Sequence, residues 1–345
     1  GEVLRAVVNP SVSSLRDFED WTALTPVEQL DRGSQRMLPR FDQLLGADHP
    51  WRSAVKEARG RNRANYERHR TATVQMGRVL QSAGIELFVI KGVALVASGV
   101  LDVESRAMSD VDVAVRLDQF VRSQQLLIAA GWTIDHPIDP TKPVGSKHAL
   151  TAVSPDGNNV DLHWNVLHSR SGSANQLIWD DARDLTIDDV TVRIPAPHDA
   201  LLIACVHRFG WKRIPPLQWV TDATAIITDA DDAFWDAFVD HVVKLHLSLP
   251  VCDALVMLGE FGVAVPDWVV PQLAASRRPR WTNLEHRLMT APPSQRLQLS
   301  RELRLQWLAH RTGQPATLAR SMATFPRVLV FHQRRLPLHR LVTTW

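Results

Sequence analysis

Two aspartates separated by one residue, Asp110 and Asp112, lie in the segment Ser109-Asp110-Val111-Asp112-Val113-Ala114-Val115. On an extended chain, residues i and i+2 point to the same face. Carboxylates held side by side repel one another unless a cation bridges them. An all-oxygen site of carboxylates plus substrate phosphates suits Mg²⁺. For the pair alone, the competing reading is a solvent-facing strand edge. Val111, Val113 and Val115 weaken it, because they give the opposite face the composition of a buried side.

Two further features share this region. Asp161 and His163 alternate in Val160-Asp161-Leu162-His163-Trp164, a strand-like run. A third carboxylate on a neighbouring strand would complete a two-metal site or act as a general base; a cross-strand polar pair is the plainer alternative. Upstream, Lys91-Gly92 follows the apolar run Leu87-Phe88-Val89-Ile90. A glycine between a strand and a helix lets backbone amides approach an anion, and the helix N-terminus adds partial positive charge. An ordinary turn explains the same dipeptide. Lys91 either neutralises phosphate charge or pairs with a carboxylate near the strand ends.

Particular elements must position these residues. Residues 1–83 read as helical: Asp17 to Leu30 has helical spacing broken near Thr25-Pro26, and Trp51 to Leu80 is long and charged, with Gly84 as its left-handed cap. Residues 84–196 then follow a β-α-β-α-β-β order. The strands are Leu87–Ile90, Val111–Val115, His148–Val153 and Val160–Trp164. Helices run from Val93 to Val100 and from Leu117 to Ala130, and Pro155-Asp156-Gly157-Asn158 makes a hairpin turn. Residues 197–345 return to helix, at Asp199–Phe209, Leu217–Ile227, Asp232–Leu245, Val251–Gly259 and Gln295–Ala309. The expected class is α+β: a small mixed sheet flanked by N-terminal and C-terminal helical regions.

Composition sets outer bounds. A chain of 345 residues suggests two or three compact units. The balance of 39 basic and 37 acidic residues argues against a dedicated binder of long nucleic acid. The basic stretch Arg59 to Arg70 is a solvated helix face or a phosphate-facing surface. Cys205 and Cys252 are too few for a disulfide scaffold and read as small core residues. No apolar run approaches the length of a membrane span, and the first residues lack a secretory pattern, so a cytoplasmic enzyme is expected.

The strings Phe88-Val89-Ile90-Lys91-Gly92-Val93-Ala94-Leu95, Arg106-Ala107-Met108-Ser109-Asp110-Val111-Asp112-Val113 and Val160-Asp161-Leu162-His163-Trp164 resemble the uncharacterised nucleotidyltransferase family of the DNA polymerase β-like superfamily. His148, His207, Trp211, Trp219 and Asp222 fit the same pattern, and the similarity runs from about residue 80 to residue 265. The resemblance implies transfer of a nucleoside monophosphate from an NTP such as ATP to a hydroxyl or similar group, with release of pyrophosphate. The acceptor would be a small molecule, a peptide or a protein. It implies Asp110, Asp112 and Asp161 as ligands of Mg²⁺ (or Mn²⁺), with Lys91, Gly92, Arg106, Ser109 and His163 on the nucleotide side. His163 is a hydrogen-bonded support or an acceptor-binding group. His207 reads as a core or interface histidine, the tryptophans as core, and Asp222 as a cap or interface partner. The chain departs from the superfamily in placing Val93 after Gly92, where Gly or Ser is usual, and in the long spacing from Gly92 to Asp110. A glycosyltransferase with an Asp-x-Asp pair, or a non-catalytic nucleotide-binding relative, are the competing classes.

Overall fold

The computed structural model describes residues 2–134, 137, 149–167, 173–207 and 217–290. The N-terminal helices are α1 (Glu2–Val8), α2 (Val12–Leu24), α3 (Arg32–Met37) and α4 (Arg52–Gln81). Ser11 and Ser14 cap α2 reciprocally, each backbone N–H donating to the other's Oγ. Chain reversal after α4 uses Gly84 at φ 72°.

The sheet then begins: β1 (Phe88–Ile90), α5 (Lys91–Ala97), β2 (Val111–Ala114), α6 (Phe120–Ala129), β3 (Thr133–Ile134), β4 (Ala149–Val153), β5 (Asn159–His163), α7 (Ser173–Asp180), β6 (Arg183–Ile187) and β7 (Val190–Ile194). Helices α8 (Pro197–His207), α9 (Gln218–Ile227), α10 (Asp232–Lys244), α11 (Ser248–Glu260), α12 (Val269–Ala275) and α13 (Arg280–Thr290) follow. The class is α+β, but the sheet is larger than the four strands expected. Seven strands run in the order β3-β4-β5-β2-β1-β7-β6. The pairs β5–β2 and β1–β7 are parallel and the rest antiparallel. The expected strand His148–Val153 is seen as β4 from Ala149 on; His148, Trp211 and the expected helix Gln295–Ala309 lie outside the described residues.

Both faces of the sheet are covered. Val89, Val113, Leu162 and Val192 pack with Met76 and Leu80 of α4 and with Phe120 and Leu127 of α6. Phe88 and Ile90 point the other way, into a core that unites the N-terminal helices (Phe18, Phe41, Trp51) with the later ones (Leu201, Trp235, Leu258). Period-two alternation in β1 therefore assigns successive side chains to different cores. Arg5 closes the first helix onto α11, its guanidinium donating to the Glu260 carbonyl at 2.7 Å. Among the described residues, no helix is long and apolar enough to cross a membrane.

Helix α4 crosses the sheet at Gly77, where a Cβ would overlap the buried Val190 side chain. Alanine would gain about 1 kcal/mol of helix propensity there, against about 1–3 kcal/mol of overpacking. Gly77→Ala is thus expected to be net destabilising in denaturant titrations. Adding Val190→Ala should recover part of the loss; two strictly additive penalties would contradict this packing.

Candidate active site

The expected residues converge where β1, β2 and β5 lie side by side. Ile90 of β1 pairs with Asp112 of β2, and Asp112 pairs with Asp161 of the parallel strand β5. Two carboxylates thus occupy one row of adjacent strands. Asp110 lies just ahead of β2, exposed, with Ser109 Oγ donating to its Oδ1 at 3.2 Å.

Asp112 is the most constrained of the three. Lys91 Nζ donates to its Oδ1 at 2.7 Å, and His163 Nε2 lies 3.1 Å from the same oxygen. Of the two roles open to Lys91, the structure shows pairing with a strand carboxylate. Lys91 also takes the left-handed backbone conformation, φ 59°, which is unfavourable for a residue with a side chain. Burial pushes the Asp112 carboxyl up, but the Lys91 charge and the His163 and Lys91 hydrogen bonds outweigh it and hold it far below the usual range. Asp161 moves the other way. Burial raises it; Thr151 Oγ1, donating at 2.9 Å, opposes; the charges of Asp112 and Asp110 raise it further. Asp161 therefore senses the charges of the other two carboxylates.

The loop carrying Asp110 is braced on two sides. Toward α4, Asn62 Nδ2 donates to the Glu104 carbonyl at 2.8 Å, and Arg59 Nη2 contacts the Glu104 carboxylate at 2.6 Å. Part of the basic face of α4 is thus ion-paired. Toward α9, Arg106 is not a free phosphate ligand: its Nε lies 2.8 Å from Asp222 Oδ1 and its Nη2 donates to Oδ2 at 2.8 Å. Gln218 Nε2 donates to the Ala107 carbonyl at 2.6 Å. Of the cap and partner roles expected of Asp222, the structure shows a pairing with Arg106. Gly92 serves this loop too, since a Cβ there would lie 2.8 Å from Met108 Cγ and Sδ. Its glycine identity is explained by close packing of the loop as well as by any anion.

A cleft of about 520 Å³ opens over these residues, walled by α5, the 106–110 loop, β4, β5, α8 and α9. Arg36, Thr151 and Gln218 line it, none of which stood out by spacing. His207 is exposed on the cleft wall rather than buried in a core. Trp164 is core, its ring 4.8 Å from Phe120, and Trp219 is mostly buried but lines the cleft. Cys205 is buried and Cys252 half-buried.

The donor set is carboxylate oxygen, with one imidazole already committed to Asp112. That fits a hard divalent cation better than a soft one. The Lys91 ammonium already supplies one positive charge at Asp112 Oδ1.

The profile of a family described as uncharacterised nucleotidyltransferase matches residues 34–262, about two thirds of the chain. The match starts within the N-terminal helices rather than near residue 80. A solved structure of an antigenic nucleotidyltransferase-like protein from Paracoccidioides brasiliensis is similar at 16% identity and a TM-score of 0.39, covering 62% of this chain and 95% of that one. No curated protein matches.

Proposed function

Since this chain belongs to the uncharacterised nucleotidyltransferase family, we propose that it transfers a nucleoside monophosphate from an NTP to a hydroxyl or similar group of a small-molecule, peptide or protein acceptor. The observation that carries this reading is the register of Asp112 against Asp161 on parallel strands, with Asp110 at the strand mouth, under a cleft of about 520 Å³. The acceptor oxygen attacks the α-phosphorus and gives its proton to a carboxylate of the site or to solvent, the bond to the β-phosphate oxygen breaks, and pyrophosphate leaves with that electron pair. Asp110, Asp112 and Asp161 would hold Mg²⁺ (or Mn²⁺), which would supply neutralisation of phosphate charge and acidification of the acceptor hydroxyl. Lys91, beside Asp112, offers its ammonium to the charge that develops on the phosphates. His163 orients Asp112 from behind. Arg106 acts through Asp222, fixing the loop that presents Ser109 and Asp110. Gly92 leaves room for that loop.

The direct test is pyrophosphate release by the full chain with Mg²⁺, each NTP and a panel of acceptors. Binding of a nucleotide-sugar and of no NTP in calorimetry would favour a glycosyltransferase instead.

Asp161 carries a separate expectation. Its folded pKa is raised, so ionisation weighs against the folded state as pH rises through that raised value. Asp161→Asn removes the cost and keeps an oxygen for the Thr151 hydroxyl. At about pH 7 and without metal, the variant should therefore melt higher than the parent, and the gain should vanish on acidification below the ordinary carboxylate range. Pyrophosphate release should be lost in the same variant. A lower melting temperature at neutral pH would mean that its neighbours do not disfavour the carboxylate.

A further inference from the structure

Away from the cleft, Asp181, His198, Asp199 and His241 bring four potential ligand atoms to within 4.8 Å of one another. Asp181 lies between α7 and β6, His198 and Asp199 in the first turn of α8, and His241 in the last turn of α10. We propose that these four side chains form a zinc-type transition-metal site that ties the edge hairpin β6–β7 to α8 and α10.

Three observations lead there. The first is spacing. Asp181 Oδ2 lies 3.4 Å from His198 Nε2 and 3.3 Å from His241 Nε2, and His198 Nε2 lies 3.6 Å from Asp199 Oδ2. Ligands about 2.0–2.2 Å from a tetrahedral ion are separated by roughly 3.3–3.6 Å. The second is orientation. Asp199 Oδ1 accepts from His241 Nδ1 at 2.8 Å, the carboxylate–histidine contact that fixes a ligating ring and leaves Nε2 turned inward. In the neutral ring Nε2 is then an acceptor, and it faces another acceptor, Asp181 Oδ2. The third is satisfaction. Asp199 is 0% exposed, and neither its Oδ2 nor His198 Nε2 makes a hydrogen bond. A proton on His241 Nε2 would relieve the Asp181 contact and leave those two atoms unpaired, whereas one central cation engages all four. Two histidines and two carboxylates are nitrogen and oxygen donors that Zn²⁺ accepts in tetrahedral geometry, and the two aspartates balance its charge. The strand carboxylates differ in offering oxygen only.

The test uses the full chain stripped of metal by a chelator and titrated with Co²⁺ alone, then with Zn²⁺. One equivalent of Co²⁺ should produce ligand-field absorption of the intense tetrahedral type, and Zn²⁺ should abolish it. Zn²⁺ at a hundredfold excess over its dissociation constant should raise the melting temperature by about 5 °C. The absorption should persist in the Asp110→Asn, Asp112→Asn double variant and vanish in His198→Gln, His241→Gln. Should the latter fail to fold, Asp181→Asn decides the matter, because Asp181 is half-exposed; it should keep its circular dichroism and bind at least about 10-fold more weakly. No tetrahedral absorption in the folded parent chain would overturn the site. So would absorption that survives in Asp181→Asn at unchanged affinity, or that disappears with the strand carboxylates.

Discussion

Asp112→Ala is expected to lower the rate of pyrophosphate release by roughly a thousandfold or more, the scale of losing a principal electrostatic stabiliser of the transferred phosphate. It should also destabilise the fold. Lys91 and His163 both direct a nitrogen at Asp112 Oδ1, and the Lys91 and Asp112 side chains are only 20% and 14% exposed. Removing the anion strands a mostly buried ammonium, at a cost of about 3 kcal/mol. Asp112→Asn separates the two effects. Its amide oxygen still accepts from Lys91 and His163 but leaves the ammonium without a counter-charge, so the variant should be less destabilised than alanine while activity is lost. The depressed carboxyl sets the pH dependence: the stabilisation from Asp112 is fully present above the ordinary carboxylate range and fades as pH falls below it toward the lower folded value. Equal activity of the aspartate and asparagine proteins at saturating Mg²⁺-NTP would remove Asp112 from the chemistry.

Near the site, strand periodicity carried most of the information. The alternation of Val111, Val113 and Val115 against Asp110 and Asp112 predicted the carboxylates on one face; β2 has Asp112 half-buried between buried Val111 and Val113, with Asp110 just ahead of the strand. The Asp-Gly turn predicted the β4–β5 hairpin, with Gly157 at φ 80°. That Asp161 pairs with Asp112 in parallel register is a tertiary fact, dependent on the crossover through α6, β3 and β4. Lys91 shows the limit of local reading. Its charge fitted both a phosphate and a carboxylate, and strand order decided the contact. The edge hairpin β6–β7 was missed although Val190, Val192 and Ile194 alternate with Thr191 and Arg193. Its turn is Asp188-Asp189, with Asp188 at φ 55° and no glycine to mark it. The histidine–aspartate cluster left no local trace, because its members come from three elements and only His198 and Asp199 are neighbours.

A second large effect is expected at Arg106 and Asp222. Their side chains are 11% and 8% exposed and meet through two 2.8 Å contacts, joining the loop ahead of β2 to α9. Arg40, partly buried and lowered by desolvation, lies in the same field, attracted by Asp222 and repelled by Arg106. Asp222→Ala would therefore leave the buried Arg106 guanidinium without its anion and weaken the field at Arg40, at about 3–5 kcal/mol. Arg106→Met should cost less, since Asp222 keeps the attraction of Arg40. The double variant Arg106→Met, Asp222→Leu should regain much of the stability lost in Asp222→Ala, because an apolar pair of similar volume avoids the desolvation of both ions. Activity should behave differently from stability. The pair holds Ala107 and, through it, the Ser109-Asp110 segment at the cleft mouth, so the double variant should remain well below the parent in kcat/KM even when folded. Recovery of both stability and full activity in the double variant would reduce the pair to packing. Recovery of stability alone would make it the element that positions Asp110.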